Sequence, residues 1–346
     1  MKKILVYIPL FMLLLSCENN DIKFDDLSYQ TVYFPIQNPV RSIVLGDEIR
    51  SDNSIDLEKA FTIAANVGGL YENKETRNLT IRLAPELVPT DPLQLLITNT
   101  TPADTLVVLP ANYYKASSLT DIVIPAGKFD GRIRIDLTDD FFNDPKSVTL
   151  KYVLPLLIES SKEKDSILQG KKLVPNPLRT RVADWEPGKR PKDYTLYAVN
   201  YTNKYHGNHF HYGLDSIFKG TTFSKRNVYS TKPDITSNLV TLVTTTSLSE
   251  ATINRLGGTN VGSTFQMKLK FNTDKSISII PVKGSVVVSG TGKFIEAKDG
   301  IAWGGQKRKT VYLNYRFTDA VGDVHRCKDT LVYRSSGLVY REFTLR

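Results

Sequence analysis

Cysteine is nearly absent: Cys17 and Cys327 are the two in 346 residues. With Cys17 placed at the end of an apolar leader, Cys327 has no partner, so an intramolecular disulfide is excluded. Stability must then come from cores large enough to need no covalent staple. Cys327 itself lies in an alternating segment and reads as a buried, inert thiol. Beyond Ile4–Leu15 no apolar run approaches the length of a membrane helix, so the body is expected to be water-soluble. Segments with helical spacing are almost missing, which excludes a (β/α)8 glycosidase barrel of about 250 residues with its alternating helices. Histidines number four, three of them crowded into residues 206–211, and tryptophans two, Trp185 and Trp303.

The leader itself is informative. Lys2 and Lys3 give a basic start, Ile4–Leu15 an uncharged apolar stretch, and Leu14-Leu15-Ser16-Cys17 ends it with a small residue before a cysteine. That order is what a bacterial lipoprotein signal requires. Cleavage before Cys17 and acylation of its thiol would leave a soluble body held to the outer membrane by lipid, since several acyl chains anchor far more firmly than one. The expected organisation is a signal peptide over 1–16, a tether over 17–26 and a mature body long enough for two domains.

Charge divides along the chain. Residues 18–169 carry 15 Lys+Arg against 23 Asp+Glu, a net of −8, whereas residues 170–346 carry 28 against 13, a net of +15. A basic second half attracts anionic material such as acidic sugars or lipopolysaccharide phosphate, or simply attracts the acidic first half. Nucleic acid is not an expected partner for an exported lipoprotein.

From Leu27 the chain reads as strands and turns. Phe61, Ile63, Ala65 and Val67 alternate before Gly68-Gly69; Ile133, Ile135 and Leu137 share one side of another strand, with charge on the other. Tyr152-Val153-Leu154-Pro155-Leu156-Leu157-Ile158 reads as a last strand, its proline suggesting an edge or a bulge. This pattern predicts a two-sheet antiparallel sandwich over 27–160. A proline-rich, basic stretch over 161–192 is the expected linker, with Trp185 packing the two domains together. The second domain, 193–346, opens with a strand at Tyr194 that has aromatics on both faces. Further strands are expected at 208–214, 226–230, 238–245, 264–271, 276–281, 285–289, 310–317, 324–333 and 338–345. Short turns between them predict an antiparallel, up-and-down, lipocalin-like barrel, or else a second sandwich. Only Ser249 to Leu256, before Gly257-Gly258, has a capped helical look.

Leu109-Pro110-Ala111-Asn112-Tyr113-Tyr114, Ile122-Val123-Ile124-Pro125-Ala126-Gly127 and Tyr152-Val153-Leu154-Pro155-Leu156 together resemble the immunoglobulin-like N-terminal domain of Bacteroidota polysaccharide-utilisation lipoproteins. In that family the module also precedes chitinase-like endoglycosidases. Asp193-Tyr194-Thr195-Leu196-Tyr197 and Tyr205-His206-Gly207 resemble the β-rich partners of that module. The resemblance implies an immunoglobulin-like sandwich in a cell-surface lipoprotein that holds glycan beside a SusC/SusD-type importer. It assigns no binding residue.

Candidate residues therefore come from chemistry. Sugar rings present apolar C–H faces to aromatic rings, while their hydroxyls need hydrogen-bonding side chains. Tyr205, His206, Asn208, His209 and Tyr212 interleave both kinds. Trp303 lies between Gly300 and Gly304-Gly305, on an expected turn beside Gln306, Lys307 and Arg308, a combination suited to an acidic sugar; the competing reading is a tryptophan plugging the barrel. His209 and His211 share a strand face but fall short of the three or four ligands of a zinc site, so no metal is expected. Ser289-Gly290-Thr291-Gly292-Lys293 lacks the spacing of a phosphate loop, and no cofactor is implied. The second domain's carboxylates, Asp215 and Asp329 among them, form no recognisable catalytic pair. The expectation is thus a non-catalytic protein binding an oligosaccharide or polysaccharide, with a hydrolase on an unfamiliar β-scaffold or a fimbrial subunit as alternatives.

Overall fold

Period-two alternation governs nearly every element of the computed structural model, which describes residues 26–48, 50–89, 95–96, 105–161, 165–230, 234–260, 266–282 and 286–345. The leader, Cys17 and the start of the tether lie outside the described residues. In chain order the first strands are β1 (Thr31–Tyr33), β2 (Pro39–Val44), β3 (Ala60–Gly68), β4 (Arg77–Leu83), β5 (Leu95–Leu96) and β6 (Val107–Val108). They continue with β7 (Tyr114–Ala116), β8 (Asp121–Ile124), β9 (Asp130–Leu137), β10 (Tyr152–Ser161), β11 (Ser166–Ile167) and β12 (Tyr194–Thr202). One sheet runs β11-β1-β3-β9-β7; the facing sheet contains β2-β12-β10-β4-β8, with β6 also on β10. Phe61, Ile63, Ile135, Phe141, Phe142, Leu154, Leu156 and Tyr201 fill the space between them, as alternation on two inner faces requires.

Two expectations change here. Tyr194–Thr202 does not open the second domain: it pairs with β10 on one side and, in parallel, with β2 on the other. Its apolar residues on both faces are the mark of a strand covered twice. Tyr201 and Val199 enter the sandwich core, whereas Tyr194, Leu196 and Ala198 join a second cluster with Val153, Leu157, Phe343 and Leu345. That second cover comes from the C-terminus, where β26 (Arg341–Glu342) pairs with β2 and β27 (Thr344–Leu345) with β5. Nor is β10 an edge. The β4 ladder begins at Leu156 opposite Leu83, and Pro155 accepts from the Ala84 amide at 3.1 Å, so its missing N–H is not called upon. The 161–192 stretch is stitched to the sandwich through β11 beside β1. Within it the Trp185 indole donates to the Leu178 carbonyl at 2.9 Å, folding the segment on itself.

The second domain comprises β13 (Gly207–Lys219), β14 (Thr222–Tyr229), β15 (Leu239–Ser247), β16 (Glu250–Ile253), β17 (Arg255–Leu256), β18 (Thr259–Asn260) and β19 (Met267–Phe271). It continues through β20 (Ser276–Ile280), β21 (Val288–Ile295), β22 (Ala302–Trp303), β23 (Gln306–Lys307), β24 (Thr310–Thr318) and β25 (Val324–Ser335). The order β13-β15-β16-β19-β20-β21-β24-β25 closes when β25 pairs with β13, giving an eight-stranded antiparallel barrel. β13 is long enough to hold β15 with residues 207–211 and β14 with residues 213–219 on the same edge. The segment read as a capped helix is instead the turn into β16, where Ala251 and Ile253 alternate into the core. Leu269, Phe271, Phe294, Leu313 and Leu331 fill one part of the barrel interior.

Candidate functional site: the basic wall of the barrel

Strand parity sorts the barrel's side chains into an inner and an outer set. On β13, His209, His211 and Asp215 turn inward. His209 hydrogen-bonds the Gly207 carbonyl through Nδ1 at 2.8 Å, and burial lowers its pKa to about 4. His206, in the preceding turn, accepts the Thr245 amide at 3.2 Å and is likewise lowered by burial to about 4. His211 contacts Thr241 through Nδ1 at 2.8 Å and places Nε2 3.1 Å from Asp329, outside hydrogen-bonding geometry. Among the described residues no three His, Cys, Asp or Glu side chains converge to hold a metal.

Inside the barrel a polar network accompanies these histidines. Tyr229 and Tyr315 both donate to Asp329, the latter at 2.7 Å, and the Gly257 amide donates to the Tyr315 hydroxyl at 2.9 Å. Asp215 meets His325 Nδ1 at 2.7 Å and Cys327 Sγ at 3.5 Å. Burial, reinforced by the two carboxylates, pushes the Cys327 thiol up, so it stays protonated. Asp215 and Asp329 are thus each enclosed by partners drawn from different strands. These bonds tie β13, β14, β24 and β25 together.

The residues singled out for sugar binding do not converge. Tyr205 lies flat on Phe271, with ring centroids 3.6 Å apart, and caps one end of the apolar core. Asn208 is half-buried beside Gly337. Trp303 sits on the β22–β23 hairpin, whose turn residues Gly304 and Gly305 have φ of 59° and 75°, the positive values a two-residue hairpin turn needs. The hairpin lies on the outside of the barrel over Phe210. The indole donates to the Tyr333 carbonyl at 2.7 Å, meets the Phe210 ring edge-on at 5.1 Å, and is covered by the Arg308 guanidinium at 4.8 Å. Trp303 and Arg308 are therefore committed to one another and to the wall. Gln306 and Lys307 are exposed, and Lys307 donates to the Lys298 carbonyl at 2.9 Å. Tyr212 shares the outer face of β13 with Asn208 and Phe210, on the opposite parity to His211.

Following Tyr212 outward leads to a different surface. Register places Ser216 opposite both Arg226 and Arg326, Arg326 opposite Arg316, and Arg316 opposite Ser289. Three exposed arginines therefore lie in one row across β14, β13, β25 and β24, at the roughly 4.8 Å interstrand spacing of a sheet. The parallel row above holds Val228, Leu214, Lys328, Asn314 and Thr291; the next holds Tyr212, Thr330, Tyr312 and Lys293. Arg226 and Arg316 donate to Ser216 and Ser289 at 3.3 and 3.2 Å, and Arg326 stacks 4.3 Å over Phe218. These contacts hold the guanidinium groups without neutralising them. Among the described residues the barrel's lysine and arginine ion pairs join Lys204 to Glu296, Lys268 to Glu250 and Lys309 to Asp47. None reaches the wall. A depression of about 550 Å³ lies beside Lys293, Tyr312, Asn314 and Lys328. A second, of about 610 Å³, adjoins Ser289 and Arg316.

A crystal structure of a Bacteroides ovatus protein of unknown function, solved by structural genomics at 2.40 Å, is 32% identical, with a TM-score of 0.80 over 93% of this chain and 99% of that one. The chain belongs to that protein's family. Within it, residues 27–165 match a model described as "-like, N-terminal domain", and residues 204–337 match "Domain of unknown function (DUF5627)". The second match spans the barrel and stops short of both β12 and the C-terminal strands that join the sandwich. Another Bacteroides ovatus structure of unknown function, 11% identical with a TM-score of 0.44 over 90% of this chain and 97% of that one, is too distant to carry an argument. A search of curated proteins found no match to the chain.

Proposed function

We propose that this protein is a non-catalytic, lipid-anchored surface protein of the outer membrane that captures anionic polysaccharide on the barrel's basic wall, in support of a SusC/SusD-type importer. The row Arg226, Arg326 and Arg316 carries the reading: three positively charged forks, flanked by Lys328, Lys293, Tyr212 and Tyr312, stand on one outer face without an ion pair among the described residues. Guanidinium groups match carboxylate and sulfate oxygens in paired geometry, and tyrosines offer faces to sugar rings between the charges. An open outer wall several strands wide suits an extended polymer rather than a small enclosed ligand. The lipoprotein-type leader and the excess of positive charge after residue 170 are consistent with capture of anionic material at a cell surface.

Titration of the purified protein with polygalacturonate and with chondroitin sulfate at low salt tests the proposal. Arg326→Ala, and Arg316→Ala separately, should each weaken binding about fivefold, the equivalent of roughly 1 kcal/mol for an exposed charge contact. Unchanged affinity in the double variant would move the ligand elsewhere. Among the described residues Asp215 and Asp329 are the barrel's buried carboxylates, and both are engaged by the internal network.

A further inference from the structure

The sandwich carries a cleft whose chemistry differs from that of the wall. About 650 Å³ in volume, it opens where the two sheets part, between β2, β3 and β12, Glu48, residues 50–56, and the strap 338–340 that brings the chain back from the barrel. That volume lies within the range of small-ligand sites, which favour junctions of this type. Ile36 and Tyr197 are the part-exposed apolar side chains at the cleft's base, with the buried Phe34 and Ile63 beneath them. Tyr197 is fixed from behind by stacking on Phe61 at 5.2 Å and by donating to the Thr62 carbonyl at 3.3 Å. Tyr340 projects from the strap and is 65% exposed.

The cations at this cleft, unlike those on the wall, are spent. Arg41 pairs with the buried Asp56, which also accepts the Val44 amide at 3.0 Å. Arg50 pairs with Glu48 and donates to the Ser336 hydroxyl at 3.1 Å and the Leu338 carbonyl at 2.6 Å, pinning the strap. What remains on the rim is hydrogen-bonding capacity: the hydroxyls of Ser42 and Ser51 and the exposed carboxylate of Asp52, the Asn53 amide being spent on the Val44 and Gly46 carbonyls at 3.0 and 2.8 Å. An anion gains nothing from charges already neutralised. A neutral sugar gains an apolar floor for its C–H face and polar partners for its hydroxyls.

We propose that this cleft is a second carbohydrate site, selective for a short neutral oligosaccharide held between Tyr197 and Tyr340. It goes beyond capture on the wall and does not depend on it. Calorimetric titration of the purified protein with maltotriose, cellotriose, xylotriose and mannotriose tests it. At least one should bind, Tyr340→Ala should weaken that binding roughly fivefold to tenfold, Tyr340→Phe should retain it, and Arg316→Ala with Arg326→Ala should leave it unchanged. Tyr340 is exposed enough for its substitution to spare the fold. Absence of binding by all four sugars at millimolar concentration, binding indifferent to Tyr340→Ala, or binding lost with the two arginines would each overturn the proposal. Failure of the wall alone would abolish polygalacturonate binding and leave this result standing.

Discussion

Trp303 illustrates how burial reassigns an aromatic side chain. Flanking glycines place it on a hairpin, as the sequence suggests, but Phe210, Arg308 and the Tyr333 carbonyl occupy its edge, face and indole N–H. Trp303→Ala should therefore act on stability, costing about 3 kcal/mol, with polysaccharide affinity preserved in the folded fraction; urea unfolding followed by titration separates the two effects. His206 and His209 give a second residue-scale prediction. Their folded pKa values near 4 lie below the unfolded value near 6.5 because burial disfavours the charged form. Between those values the unfolded chain binds more protons, so their contribution is fully present above pH 6.5 and is lost as pH falls toward 4. The melting temperature should drop across that interval, and His209→Phe should flatten the drop.

At the scale of elements, the seam between β13 and β25 closes the barrel, and two features make it work. Gly213 lies so near β25 that an added Cβ would stand 2.2 Å from the Lys328 carbonyl. Gly213→Ala should consequently push the seam apart and cost a few kcal/mol, read as a lower urea midpoint. The second feature is Asp329, held by tyrosines from β14 and β24; Tyr315→Phe should destabilise by about 1–2 kcal/mol, since it removes a buried hydrogen bond to a charged group. Much at this scale is legible in the sequence, because alternation marks each strand by itself: Phe61, Ile63, Ala65 and Val67 point inward as their spacing requires. Pairing is less legible. Tyr194–Thr202 announces through its two apolar faces that it is covered twice, yet nothing local says that the covers are the sandwich core and a C-terminal segment some 140 residues away.

For the molecule as a whole, the chain leaves the sandwich after β12, builds the barrel, and returns to the sandwich with β26 and β27. The two bodies are further tied by Tyr333 donating to the Asp47 carbonyl at 2.6 Å and by Lys309 pairing with the Asp47 carboxylate at 3.1 Å. The uneven charge of the two halves is visible from composition alone, whereas the wall it produces is not. Arg226, Arg316 and Arg326 are separated by up to 100 residues in sequence and become neighbours only through strand register. The most direct test of anionic capture compares polygalacturonate with its fully methyl-esterified form, the same backbone without the charge, across a salt series. The account predicts that the acidic polymer binds at low salt and weakens steeply as the screening length shrinks to about 8 Å near physiological ionic strength, with no corresponding salt-sensitive binding of the ester. Equal, salt-independent binding of both polymers would contradict it.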